Sequence, residues 1–155
     1  MAGELYLIDS NVLIRWVQPG DPSFSVCSAS VQHLERSGDS ACYVSQNIGE
    51  FWNALTRPAN RNGYGVTPEA ADTMTSIVER SFRLLPDDLA VHETWRRLLV
   101  THRVSGTQVH DARLVAAMKV HSVSRILTFN TRDFARFKEI EAVHPADLAS
   151  AGARE

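Results

Sequence analysis

The sequence predicts a single α/β domain, an α/β/α sandwich built around a parallel sheet of four to five strands. Three observations carry that prediction. Short unbroken apolar runs recur along the chain, the pattern of strands buried on both faces. Longer amphipathic segments separate them. The chain has 155 residues, the size of one domain.

The first strand is Leu5-Tyr6-Leu7-Ile8, and it runs straight into Asp9. Ser10 or Asn11 is placed to cap a helix that starts at once and covers Val12 to Val17. Pro19-Gly20-Asp21-Pro22 breaks that helix, and a second spans Phe24 to Arg36. Ala41-Cys42-Tyr43-Val44 is the second strand. Ser45 then reads as an N-cap, followed by Ile48, Phe51, Trp52 and Leu55 as one apolar helical stripe. Glu50 lies early in this helix, within reach of the strand end.

Arg57 to Gly65 is a loop by its Pro, Asn and Gly content. Thr67-Pro68 opens a helix that runs to about Arg80, and Phe82 to Leu85 is the third strand. Pro86-Asp87-Asp88 caps a helix carrying Val91, Trp95 and Leu98. The helix from Gln108 to His121 is apolar nearly all round, yet Asp111 shares the line of Leu114, Val115 and Met118. A carboxylate on such a face is costly unless something compensates it. Arg125 to Phe129 is the fourth strand, with Asn130 to Phe134 as the turn after it and Ala142-Val143 as an edge strand. The small, polar sequence from Ala146 is expected to fray, so the domain is drawn over residues 1–147 with a flexible tail at 148–155.

Right-handed crossovers bring the carboxyl ends of all parallel strands to one edge. Asp9, Asn130 and Asp133 follow strands directly, and Glu50 and Asp111 stand early in helices. Several carboxylates in one cleft repel each other, and a divalent cation is what would gather them. Oxygen ligands suit Mg²⁺, with Mn²⁺ as a substitute. Neither H-E-x-x-H nor a Cys/His cluster of the zinc type occurs. Two such ions about 3.5–4 Å apart form the arrangement that nucleases use.

Asp9-Ser10-Asn11, Asn47-Ile48-Gly49-Glu50-Phe51-Trp52, His110-Asp111-Ala112-Arg113 and Leu127 to Phe134 together resemble a PIN-domain ribonuclease, closest to the VapC-type toxins of toxin–antitoxin pairs. The resemblance covers about Leu5 to Pro145. It implies that Asp9, Glu50 and Asp111 are core metal-binding acids. The fourth acidic place falls on Asn130 or Asp133; the position just after the strand, often Asp in the family, is Asn130 here. Ser10 and Thr128 are expected to orient the ligands through their hydroxyls. The family further implies metal-dependent RNA hydrolysis, a homodimer, and a small antitoxin protein that blocks the cleft.

Other readings compete at single positions. Asp9 could simply cap a helix, Asp111 could answer a helix dipole, and Asp133 could cap the short turn at Phe134. Arg15 and Arg113 are candidate phosphate contacts beside the cleft. Tyr64, in a Gly-rich loop with Arg57 and Arg61, could stack on RNA, against the plainer reading of a surface loop. His110 is a weak candidate base, because adjacent helix residues point apart. A PIN-like module that binds RNA or protein without cutting is the alternative function, motivated by Asn130.

The net charge of −2 makes no case of its own for nucleic acid, and only Lys119 and Lys138 are lysines. Cys27 and Cys42 are expected to be reduced and buried. No apolar run approaches the roughly 20 residues of a membrane span, and the first residues lack a basic-then-apolar leader. A cytoplasmic protein is the expectation.

Overall fold

A computed structural model describes residues 2–154. Five strands form one sheet: β1 (Leu5–Ile8), β2 (Ser40–Tyr43), β3 (Arg83–Leu84), β4 (Arg125–Leu127) and β5 (Glu141–Val143). Every pairing is parallel, and the spatial order is β3-β2-β1-β4-β5. The chain winds outward from β1 to β3, returns to the centre, and continues on the other side through β4 and β5. The reversal falls between β1 and β4. That is the switch point where the carboxyl ends of open α/β sheets leave a crevice.

Eight α-helices complete the layers. They are α1 (Ser10–Trp16), α2 (Phe24–Arg36), α3 (Ser45–Thr56), α4 (Pro68–Ser81), α5 (Leu89–Thr101), α6 (Gln108–Val120), α7 (Thr131–Phe134) and α8 (Pro145–Ala153). Two apolar clusters lie on the two faces of the sheet. One joins Leu7 and Ile126 to Leu98 of α5 and to Leu114 and Met118 of α6. The other joins Ile8 and Leu127 to Leu13 of α1, Val31 of α2 and Phe51 of α3. Alternate residues of each central strand thus feed opposite cores, as a doubly covered parallel sheet requires. α6 is packed almost all round, which explains its lack of amphipathic pattern.

The sequence reading placed nearly every element, and the differences have identifiable causes. β4 ends at Leu127 rather than Phe129: the Thr128 N–H still donates to the Val143 carbonyl at 3.0 Å, but the Phe129 N–H leaves the ladder for Asn11 Oδ1 of α1. Neither Ser10 nor Asn11 caps α1; Asp9 does, its carboxylate accepting from the Ser10 N–H. α3 starts after Val44 rather than after a Ser45 cap, and Asn47 Oδ1 accepts from the Val44 N–H at 2.9 Å. Asp133 is inside α7, whose cap position is Asn130.

Of the segment expected to be a flexible tail at 148–155, residues 148–153 belong to α8, and Glu155 lies outside the described residues. This helix packs along α2, with Pro145 buried and Leu148 against the second core. At Gly152 an added Cβ would stand 3.2 Å from His33 Nδ1 of α2, so small residues here serve close helix packing.

Candidate metal centre at the switch point

Asp9 ends β1 beside the end of β4, and its backbone N–H continues the ladder to the Leu127 carbonyl at 3.0 Å. The residue is only 6% exposed. One carboxylate oxygen, Oδ1, accepts from the Ser10 N–H at 2.8 Å. The other, Oδ2, accepts from Thr128 Oγ1 at 2.8 Å and, more weakly, from Asn11 Nδ2 at 3.4 Å. Burial pushes the Asp9 carboxyl up to about 6; the Thr128 hydroxyl pulls the other way, and the Glu50 charge pushes with burial.

Glu50 projects from α3 onto the same edge. Ser10 Oγ donates to its Oε2 at 2.7 Å, and Gln46 Nε2, one turn earlier, donates to Oε1 at 2.8 Å. The same Gln46 amide reaches the His110 carbonyl at 2.9 Å and so ties α3 to the start of α6. Asp111 follows in the first turn of α6, half-buried. Burial raises its carboxyl to about 7, and the charges of Asp133, Asp9 and Glu50 add to the rise in that order. The charges of Asp9, Glu50 and Asp133, from three separate segments, therefore bear on Asp111 at a single edge of the sheet.

Thr128 is the hub of this edge. It is fully buried, donates to Asp9, and accepts from the Asn130 N–H at 3.0 Å and from Asn11 Nδ2 at 3.2 Å. Asn11 Oδ1 in turn accepts from the Phe129 N–H at 3.2 Å. Asn130 itself is exposed, and its side chain makes no hydrogen bond among the described residues. Asp133 is exposed one helical step on, and its charge is the foremost one acting on Asp111.

The remaining candidates divide. Arg15 Nη1 donates to the Asn11 carbonyl at 2.6 Å, and its guanidinium lies 5.1 Å from the centre of the Phe129 ring. Arg57 and Tyr64 share with Arg15, Ser10 and Glu50 a cavity of about 410 Å³ that adjoins the acids. Arg61 is exposed in the short 3-10 turn Ala59–Arg61 and does not line that cavity. Arg113 pairs with Asp87 and lies over Trp95, 5.8 Å from the ring centre, so its charge is already committed. His110 is exposed and contributes its carbonyl to the framework. A wider hollow of about 560 Å³ along α5 contains none of the acids.

Sequence reasoning missed two positioning residues, Asn11 and Gln46. Both carried a signal. Asn11 is two residues after Asp9, and Gln46 is one helical turn before Glu50 on the same face.

The donor set is hard oxygen throughout, and two of its carboxyls, Asp9 and Asp111, are held above the ordinary range by burial first and then by neighbouring carboxylates. A divalent cation of the Mg²⁺ or Mn²⁺ type answers that chemistry. Among the described residues no three acids, histidines or cysteines close on one point as a finished coordination shell. The acids ring the end of the sheet instead.

The PIN domain family matches the sequence over residues 6–140. The chain belongs to the PIN-domain family. Its fold is shared with several solved structures. VapBC2 from Rickettsia felis, bound to a DNA fragment from its promoter, aligns over 90% of this chain and 98% of its own at a TM-score of 0.66 and 11% identity. VapC20 from Mycobacterium tuberculosis, described as a sarcin-ricin loop cleaving toxin, aligns over 86% and 95% at 0.63 and 18%. PAE2754 from Pyrobaculum aerophilum aligns over 100% and 98% at 0.65 and 21%. Comparison of the sequence with curated proteins finds no match. At these identities the solved structures establish a common fold. The Asp9–Thr128 edge lies at the switch point of this shared fold.

Proposed function

We propose that this PIN domain is a divalent-metal-dependent endoribonuclease, the toxin half of a VapC-type toxin–antitoxin pair acting in the cytoplasm. The observation that carries the reading is the hydrogen-bonded edge at the switch point: Ser10 joins Asp9 to Glu50, and Gln46 joins Glu50 to the His110 carbonyl beside Asp111. A domain that buries part of this charge destabilises itself unless a cation or proton neutralises it. Asp9, Glu50 and Asp111 would hold Mg²⁺, or Mn²⁺ in its place, with Asp133 and the Asn130 amide on the open side. The bound cation supplies positive charge against the scissile phosphate and acidifies water for attack.

The chain's own groups set the geometry. Thr128 and the Ser10 N–H fix the two oxygens of Asp9. Ser10 Oγ and Gln46 fix the two oxygens of Glu50, leaving each carboxylate with a set orientation. Such orienting bonds sharpen ligand placement. Asp111 and Asp133 remain the less tethered pair, facing solvent where a strand of RNA would enter. The structural neighbours support a protein partner, since several are toxin–antitoxin assemblies. A small antitoxin that covers the acids, and a homodimer of this chain, complete the proposal.

Cleavage of single-stranded RNA with Mn²⁺ and with EDTA tests the reading. Asp9→Asn and Asp111→Asn are expected to abolish metal-stimulated cleavage while the fold persists by circular dichroism. Wild-type rates in either variant would remove the assigned site. The binding-module alternative rests on one observation, the exposed amide of Asn130 where an acid would tighten the open side. It predicts RNA retention with no cleavage and no stabilisation by Mn²⁺.

A further inference from the structure

The cavity of about 410 Å³ beside the acids is bounded by Ser10, Arg15 and Glu50 on one side and by Arg57, Asn62 and Tyr64 on the other. Its outer wall is the Arg57–Gly65 loop, and that loop is built, not slack. The N–H groups of Tyr64, Gly65 and Val66 donate to the carbonyls of Ala54, Arg57 and Leu55 at 3.1, 2.9 and 2.8 Å. Gly63 lies so close to Arg57 that any Cβ would collide with its carbonyl. Asn62 turns through the left-handed region at φ 60°, and its carbonyl accepts from Arg57 Nη2 at 2.9 Å. These contacts hold Tyr64 in place, 41% exposed, with its hydroxyl on Asp21 at 3.3 Å.

The charges are arranged to match. Neither Arg15 nor Arg57 forms an ion pair among the described residues, although both guanidinium groups are half-buried and anchored to backbone carbonyls. Anchored arginines without carboxylate partners present fork-shaped donors for an anion. The volume is in the range of small-ligand sites. From acids to loop, the edge runs from a cluster that requires a cation to a pair of fixed cations and then to an aromatic face.

We propose that this groove is a nucleotide subsite of the ribonuclease. Arg15 and Arg57 hold the phosphate next to the scissile one, and Tyr64 stacks the base attached to it. The assignment rests on the nuclease reading for its substrate, but its own residues lie outside the metal set. An acidic peptide segment is the competing occupant; the aromatic face beside the arginines favours RNA, because every base offers a face to stack.

The test measures affinity for a short single-stranded RNA by fluorescence anisotropy, in an Asp9→Asn background that does not cut. Tyr64→Ala is expected to weaken binding about tenfold, the scale of losing one stacked base. Tyr64→Phe, which keeps the ring, is expected to stay within about twofold of the parent. Arg57→Gln and Arg15→Gln should each flatten the dependence of log affinity on log salt by about 0.7, one phosphate contact on single-stranded nucleic acid. Tyr64→Leu serves if the alanine variant does not fold. Parent-like binding by Tyr64→Ala or Tyr64→Leu would overturn the subsite, as would an equal loss in Tyr64→Phe. So would an effect seen with an oligoglutamate peptide but not with RNA. Cleavage separates the two claims. Wild-type protein that binds RNA through Tyr64 but never cuts removes the nuclease and leaves the subsite. Metal-stimulated cutting unaffected in Tyr64→Ala removes the subsite and leaves the nuclease.

Discussion

Asp9 performs two tasks with its two oxygens. Oδ1 caps α1, and Oδ2 faces Thr128 across the sheet edge. The helix-capping and metal-site readings of this residue are therefore compatible. Its protonation makes the metal-free fold sensitive to pH. The folded protein holds the Asp9 proton up to about 6, against an ordinary value of 3.8, so it binds more protons than the unfolded chain between those limits. Stability then falls as pH rises through that window, by about 3 kcal/mol at most for this residue. Asp111, half-exposed and screened, extends the decline to about 7 by a smaller amount. Urea denaturation in EDTA at pH 5 and pH 8 should show the loss, and Asp9→Asn should shrink it. Thr128→Val tests the hub itself. It removes the donor to Asp9 and the acceptor for Asn130, and Mn²⁺ affinity by titration calorimetry should fall about 10–100-fold. The acids were legible in the sequence because each follows a strand or opens a helix. The framework of Asn11, Gln46 and Thr128 was only partly so, since side-chain amides and hydroxyls in first turns have many ordinary uses.

At the scale of elements, the helices and strands were readable where burial imposed a period. α2 spans Phe24–Arg36 as its pattern required, and α6 was found by its length and apolarity. α8 was misread for a physical reason. Small residues such as Gly152 resemble a solvated tail, yet here Gly152 lets the helix approach His33 of α2. Removing the chain from Pro145 onward should therefore destabilise the domain by about 2 kcal/mol or more, the value of re-exposing Leu148 and the face it covers. Thermal unfolding of the truncated and full chains compares them directly. An unchanged melting temperature would restore the tail reading.

For the whole molecule, the decisive property is that unlike charges are segregated within a nearly neutral protein. The net charge is −2, so on the proposed reading affinity for RNA would come from the local pairing of arginines with a bound cation. Metal uptake at the proposed site would also displace protons from Asp9 and Asp111, whose values of about 6 and about 7 lie just below and at neutrality. Mn²⁺ should accordingly raise the melting temperature more at pH 8 than at pH 6, a difference that scanning calorimetry would register. Equal shifts at both values would mean that the ion binds elsewhere. The two outermost strands carry a separate consequence. β3 has two residues and β5 three, so neither border of the sheet offers a neighbouring chain a ladder long enough to extend. The central strands stay interior, and a cell could accumulate this domain without the sheets fusing into fibres.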